Sequence, residues 1–191
     1  MQLILASTSP YRRALLERLG VPFATEAPGV DEDEVKRRAE SPLAAVTELA
    51  RRKARAVAER FPDAVVVGGD QTAAVDGELL DKPGSEAAAK AQLRRLAGRT
   101  HELLTAVAIA RGDELREFVD LTTLHMRELD DAEIARYVSA ERPLDCAGSY
   151  KVEGLGVALF DRIDGSDHTA IQGLPLLRLC QELRRLGFAL P

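Results

Sequence analysis

An α/β protein with a mixed sheet is the fold this sequence predicts, and three observations point to it. Short apolar runs of strand character alternate with amphipathic segments that open on Ser-Pro or another capping residue. Two turn signals, Asp76-Gly77 and Gly112-Asp113, join strands into hairpins. The chain of 191 residues is 46% hydrophobic and 30% charged, the balance of an ordinary globular protein. A chain of that length buries about 70% of its unfolded surface. Helices mixed with both crossover and hairpin connections give a largely twisted mixed sheet flanked by helices. Residues 1–191 read as a single domain, with two lobes around a cleft as the other form it could take.

The elements follow in order. Leu3 to Ala6 is a short buried strand. Ser9-Pro10 opens a helix, with Ser as N-cap and Pro at the first helical position, and Gly20 closes it. Ser41-Pro42 repeats that opening for a long helix reaching about Phe61. Ala64 to Val67 is a second buried strand entering Gly68-Gly69-Asp70-Gln71, where two glycines let the backbone turn sharply and something approach closely, a plain turn being the simplest reading. Thr72 to Val75 and Glu78 to Leu80 pair across Asp76-Gly77, and a helix runs from Ser85 to Leu96. Two longer strands, about His101 to Ala110 and Leu115 to Arg127, precede a short helix capped by Asp130 with Glu133 three residues on. A glycine-punctuated segment from Cys146 to Gly156 leads to a strand at Val157 to Ile163, and the last helix spans about Leu174 to Leu186.

Composition excludes several functions. With 26 Lys and Arg against 31 Asp and Glu, the net charge of −5 argues against a protein that coats nucleic acid. Cys146 and Cys180 are too few for a disulfide framework and lack metal-ligand spacing. No apolar run approaches the ~20 residues of a membrane span, and the first residues do not make a signal peptide. A cytoplasmic protein with no membrane and no polymeric nucleic-acid partner is expected. GxxxxGK[ST] and HExxH do not occur, which removes P-loop and zincin chemistry.

Several residues are out of place for a purely structural role. Ser7-Thr8-Ser9 ends a strand and starts a helix, so hydroxyls and unpaired N–H groups converge as an anion site would require. Arg12 and Arg13 lie in the first turn of that helix, where the macrodipole disfavours cations. Lys53 falls in the middle of the apolar stripe Val46, Leu49, Ala50, Ala54, Val57, so it either snorkels to an edge or reaches into a site. Asp70 follows a buried strand, where α/β sheets carry ligands. Asp31-Glu32-Asp33-Glu34 is ordinarily a solvated loop, yet could lend one carboxylate to Mg²⁺. Lys82 and Lys151 add cations in turn-rich positions.

Taken together, ASTSPYRR at 6–13, GGDQT at 68–72, DKP at 81–83, CAGSYKVEG at 146–154 and GLPL at 173–176 resemble the Maf family. These proteins are small nucleoside triphosphate pyrophosphatases regarded as cleaners of the nucleotide pool. The resemblance covers essentially the whole chain, in family order. It implies a Maf/ITPase-like fold with a central nucleotide cleft, and hydrolysis of a triphosphate to monophosphate and pyrophosphate with Mg²⁺ or Mn²⁺. Asp70 matches the family's catalytic acid, as general base or as metal ligand, and Glu32 is expected as the second metal carboxylate. Ser7, Arg12, Arg13, Lys53, Lys82 and Lys151 match the polar positions that hold the phosphates.

The same resemblance bears on the base. The branch acting on dTTP and UTP typically carries Arg, Thr and Gln where this chain has Tyr11, Gln71 and Glu153. The present trio looks like the branch that hydrolyses 7-methyl-GTP, whose base carries a delocalised positive charge suited to an aromatic face and a carboxylate. A dTTP/UTP pyrophosphatase and a non-catalytic nucleotide-sensing regulator of cell division are the alternatives. A homodimer is a family expectation only. Two departures stand out: Ser166-Asp167-His168-Thr169-Ala170 replaces the family's GDPN-like segment, and Gly69 stands where Ala or Ser is common.

Overall fold

The computed structural model describes residues 1–190. Its strands are β1 (Leu3–Ala6), β2 (Phe23–Thr25), β3 (Val65–Val75), β4 (Glu78–Leu80), β5 (Thr100–Arg111), β6 (Glu114–Met126) and β7 (Phe160–Asp164). Its helices are α1 (Pro10–Glu17), α2 (Glu32–Arg38), α3 (Pro42–Ala58), α4 (Glu86–Leu96), α5 (Asp131–Glu141) and α6 (Leu176–Arg185). The strands form one sheet in the order β2-β1-β3-β5-β6-β7, with β4 pairing β3 off that path. β1 runs parallel to both β2 and β3, whereas β3–β4 and β6–β7 are antiparallel. The predicted mixed α/β class is therefore the observed one.

The chain divides into two compact units. The first comprises residues 1–70, 105–120 and 167–190, and the second 71–104 and 121–166. In the first unit, Leu3 and Leu5 of β1 and Val65 and Val67 of β3 share one sheet face and pack with Leu15 and Leu16 of α1, Leu179 and Leu183 of α6, and Leu174 just before α6. The opposite face of β3 meets α3 at Gly68, where an added Cβ would lie 2.5 Å from both Ala50 O and Ala54 N. In the second unit, Ala89, Leu93 and Leu96 of α4 and Ile134, Tyr137 and Val138 of α5 are buried, and the two helices pack together. In the same unit His101, 2% exposed, lies with its ring tilted against Tyr150 and Phe160, at centroid distances of 5.4 and 6.0 Å.

Four sequence expectations are corrected. Residues 68–71 are not a turn; they lie inside β3, an 11-residue strand, and Ala6 pairs with Gly68 in its parallel ladder. The two glycines serve close approach of the strand to its neighbours instead of reversing the chain. The acidic run is not a loop, because Asp31 caps α2 through Glu34 N, and Glu32, Asp33 and Glu34 fill its first turn with Lys36, Arg37 and Arg38 in its last. That charge order follows the helix dipole, so the run is a helix-start signal. Residues Leu155–Leu159 form a 3₁₀ segment, and β7 starts only at Phe160. The three-residue β2 carries no periodic signal and is not among the expected elements.

The glycine at 68 and the buried histidine each give a prediction. Gly68→Ala should destabilise by about 1–3 kcal/mol or more, read from the urea midpoint, because strand and helix backbones must separate. Burial, with a smaller effect of His125, lowers the His101 pKa to about 4. The unfolded histidine protonates near 6.5, so between that pH and 4 only the unfolded chain takes up the proton. His101 therefore stabilises the fold fully above pH 6.5, and about 3 kcal/mol is lost as pH falls to 4. Comparison of wild type with His101→Asn across pH 7 to 4 should show a shallower fall in the variant.

Candidate active site

The first unit assembles its polar centre from four elements. Along β3 the side chains alternate, so Asp70 points to the same face as Gly68, toward α3. Three residues after Ala50 on α3, Lys53 reaches that place. Its Nζ donates to Asp70 Oδ1 at 2.7 Å and lies 2.6 Å from Glu32 Oε1 on α2. Lys53 is 5% and Asp70 6% exposed, while the Glu32 side chain is 41% exposed. Lys53 thus reaches into a site and does not snorkel.

Arg12 completes the set from α1. Its Nε donates to Gly173 O at 3.1 Å, and its Nη1 lies 3.5 Å from Ser7 Oγ. Burial lowers the Arg12 pKa from its ordinary range, and the charges of Asp70 and Glu32 oppose that shift. The arginine stem runs past two glycines. A Cβ on Gly173 would come to 3.2 Å of Arg12 Cγ, and one on Gly69 to 3.4 Å of Arg12 Nε. Gly173 also needs its φ of +117°, which favours glycine, whereas the space at 69 would admit an alanine in ordinary contact. The Gly69 departure is therefore a permissive one.

Residues 167–172 of the segment at 165–172 have a structural task in this unit. Asp167 Oδ1 accepts from Thr169 N at 2.9 Å and from Thr169 Oγ1 at 2.6 Å. Leu176 N then donates to Thr169 Oγ1 and Leu177 N to Asp167 Oδ2, at 2.9 and 2.7 Å. The first N–H groups of α6 are satisfied in this way although Pro175, its N-cap, has no side-chain acceptor. That brace fixes the chain around Gly173, whose carbonyl holds Arg12. The D-x-T spacing ahead of a Pro-led helix is the sequence signal for it.

The other sequence-predicted residues are placed as follows. Ser7 is buried, and its Oγ accepts from Ser9 N at 3.1 Å. Tyr11 is half-buried in the first turn of α1. Arg13 is not gathered with Arg12: its side chain is 63% exposed and pairs with Glu17 at 2.9 Å. Gln71, Lys82, Lys151 and Glu153 belong to the second unit. Gln71 is half-buried in β3, Lys82 is exposed after β4, and Glu153 is exposed. Lys151 is half-buried with Nζ 3.7 Å from Asp145.

Lys151 and Glu153 sit on a braced turn. Tyr137 Oη accepts from Lys151 N at 2.9 Å, and Glu141 Oε2 accepts from Leu155 N at 2.9 Å. Lys151 O accepts from Gly154 N at 3.1 Å and Gly156 N at 3.0 Å. Nearby, burial pushes the Cys146 thiol up to about 12, so it is no thiolate nucleophile. Tyr137 and Glu141 carry no motif and escape sequence reasoning; only their i, i+4 spacing on a capped helix hints at a shared task.

The Maf family, described as "Maf-like protein", matches residues 2–186. The chain belongs to the Maf family. A relative from Xanthomonas oryzae pv. oryzae, named 7-methyl-GTP pyrophosphatase, is 50% identical over 190 residues, covering 100% of this chain and 99% of its own. One from Aromatoleum aromaticum with the same name is 52% identical over 192 residues, covering 100% and 98%. Among solved structures, a HAM1 protein from Coxiella burnetii shares the fold, with a TM-score of 0.52 at 12% identity over 97% of this chain and 99% of that one. No helix among the described residues is long and apolar enough to cross a membrane.

The carboxylates of this Maf chain suit a divalent cation in their chemistry. Asp70 and Glu32 bring hard oxygen donors to one point, now filled by the Lys53 ammonium. Among the described residues there is no group of three or more His, Cys, Asp or Glu that could hold a metal. Magnesium bound by one or two carboxylates normally completes its shell with water and substrate phosphate, and this donor set fits that mode. The buried pair also has a stability consequence. Lys53→Met should cost about 3–5 kcal/mol in urea denaturation, because Asp70 loses its partner while remaining buried.

Proposed function

We propose that this chain hydrolyses 7-methyl-GTP to 7-methyl-GMP and diphosphate, removing a modified nucleotide from the cytoplasmic pool. The observation that carries the reading is the cluster of buried Lys53 and Asp70 with half-exposed Glu32, in a chain half identical over its full length to proteins named for that reaction.

In this reading the site's charges divide between phosphate and water. Lys53 and Arg12 turn their donors to the triphosphate, and Arg12 brings a planar fork suited to phosphate oxygens. Ser7 Oγ already accepts from Ser9 N, so its own proton is available to a phosphate oxygen. Lys82, Lys151 and Arg13 supply further positive charge, Arg13 after release from Glu17. Asp70 uses Oδ1 for Lys53, and we assign Oδ2 to the attacking water. The water oxygen bonds to the α-phosphorus as its proton passes to Asp70. The bond from that phosphorus to the bridging oxygen breaks, and diphosphate leaves with the electron pair. A divalent cation held by Glu32 and Asp70 would supply charge stabilisation for the phosphoryl oxygens. Tyr11 offers an aromatic face to the cationic base, Glu153 a carboxylate, and Gln71 a hydrogen-bonding amide.

Asp70→Asn should lower turnover by at least about a hundredfold while nucleotide binding persists, measured as diphosphate release beside calorimetric binding. Near-normal release by that variant overturns the assignment of Asp70. Chelation with EDTA should abolish release, and Mg²⁺ or Mn²⁺ should restore it. Glu153→Gln should lower kcat/KM for 7-methyl-GTP relative to GTP. A panel including dTTP and UTP tests the substrate: preference for either pyrimidine would move the chain to the other branch.

A further inference from the structure

The turn that carries Lys151 and Glu153 is held from α5 at two points one helical turn apart. Tyr137 and Glu141 stand at i and i+4, so they face the same way. The first accepts from the N–H of Lys151 and the second from the N–H of Leu155, both at 2.9 Å. Between these two contacts lies Glu153.

Other contacts of the segment also fix it. Tyr150, immediately before Lys151, is buried edge-on against Phe160 at 5.0 Å, with its Oη 3.0 Å from His101 Nε2. Ser149 has a φ of +62°, outside the usual range of its residue type, and its Oγ donates to Gln92 Oε1 at 2.6 Å. A Cβ on Gly154 would lie 2.7 Å from Glu141 Oε2, and one on Gly156 would overlap the Lys151 backbone. α5 itself is anchored by the Asp130–Glu133 capping box and an Arg127–Glu133 ion pair of 3.0 Å. A strained serine and two glycines that exclude side chains are more than an ordinary surface turn needs. They make sense where the direction of one exposed side chain matters.

We propose that Tyr137 and Glu141 are positioning residues for base recognition, acting through the main chain of residues 151–155 to aim Glu153 at the nucleobase. This rests on the assignment of Glu153 to the base. Neither residue touches substrate in this scheme. Their loss should be felt in substrate discrimination, read as the ratio of kcat/KM for 7-methyl-GTP to that for GTP, because Lys151 on the same turn meets the triphosphate common to both nucleotides.

The test compares 7-methyl-GTP with GTP in wild type, Tyr137→Phe, Glu141→Ala, Glu141→Gln and Glu153→Gln, with a melting curve for each. Tyr137→Phe removes the acceptor for Lys151 N, and Glu141→Ala that for Leu155 N. Each should lower selectivity for the methylated base by about fivefold to tenfold. Glu141→Gln keeps a carbonyl acceptor and should retain selectivity. Selectivity unchanged in both Tyr137→Phe and Glu141→Ala, while Glu153→Gln loses it, overturns the positioning role alone. A Glu153→Gln variant of unaltered selectivity overturns the base assignment and this proposal with it. Equal loss in Glu141→Gln and Glu141→Ala overturns the hydrogen-bond route. If Tyr137→Phe fails to fold, the Glu141 pair decides alone.

Discussion

A lysine ammonium taken out of water between two carboxylates is the constraint on which this molecule's polar centre depends. Lys53 sits on the face of α3 that otherwise buries alanine, valine and leucine, and the charges of Asp70 and Glu32 offset its desolvation. Each partner comes from a different element: β3 supplies Asp70, α2 supplies Glu32, and Arg12 from α1 adds a second cation within their electrostatic reach. Two carboxylates and two cations are close to electrically neutral together. A neutral cluster can be buried at moderate cost and still present both signs of charge at one place.

Local chemistry explains how the sequence leads to that cluster. Ser9-Pro10 and Ser41-Pro42 start α1 and α3, with serine hydroxyls accepting from Arg12 N and Ala44 N. α3 then delivers Lys53 a fixed number of turns later. Period-two alternation along β3 brings Asp70 to the same face as Gly68, and the missing side chain at 68 lets that face approach α3. At the other side of the strand, Asp167 and Thr169 brace the start of α6 so that Gly173 offers its carbonyl to Arg12.

Much of this is legible in the amino-acid order alone, for identifiable reasons. Apolar runs and Ser-Pro caps are strong local signals, so β1, α1, α3 and the hairpin at Asp76-Gly77 fall where expected. Lys53 is conspicuous because it interrupts an apolar stripe. Gly68-Gly69 misleads because glycine signals both turns and close approach, and only the helix packed on it decides between them. The acidic run hides α2 because four consecutive acids suggest solvation sooner than they suggest a dipole-matched first turn. Tyr137 and Glu141 are invisible because they act through the backbone of other residues, which no motif records. Arg13, one residue from Arg12 and of the same chemistry, turns outward to Glu17 because successive helical positions point about 100° apart.

The contact at Gly68 also governs how this protein can vary. A side chain there would meet Ala50 O, Ala54 N and the Ala54 Cβ at once, so residues 50, 54 and 68 share a single small space. Substitutions in such a set do not add; a change tolerated at one position depends on what occupies the other two. The lysine–aspartate distance is locked to that space as well, because Lys53 and Asp70 are the near neighbours of Ala54 and Gly68 on the same two elements. Gradual drift in the core beside them is thereby blocked, and enlarging any one residue requires a coordinated change in its neighbours. Epistasis among three small residues thus sets the evolutionary freedom of the charged cluster.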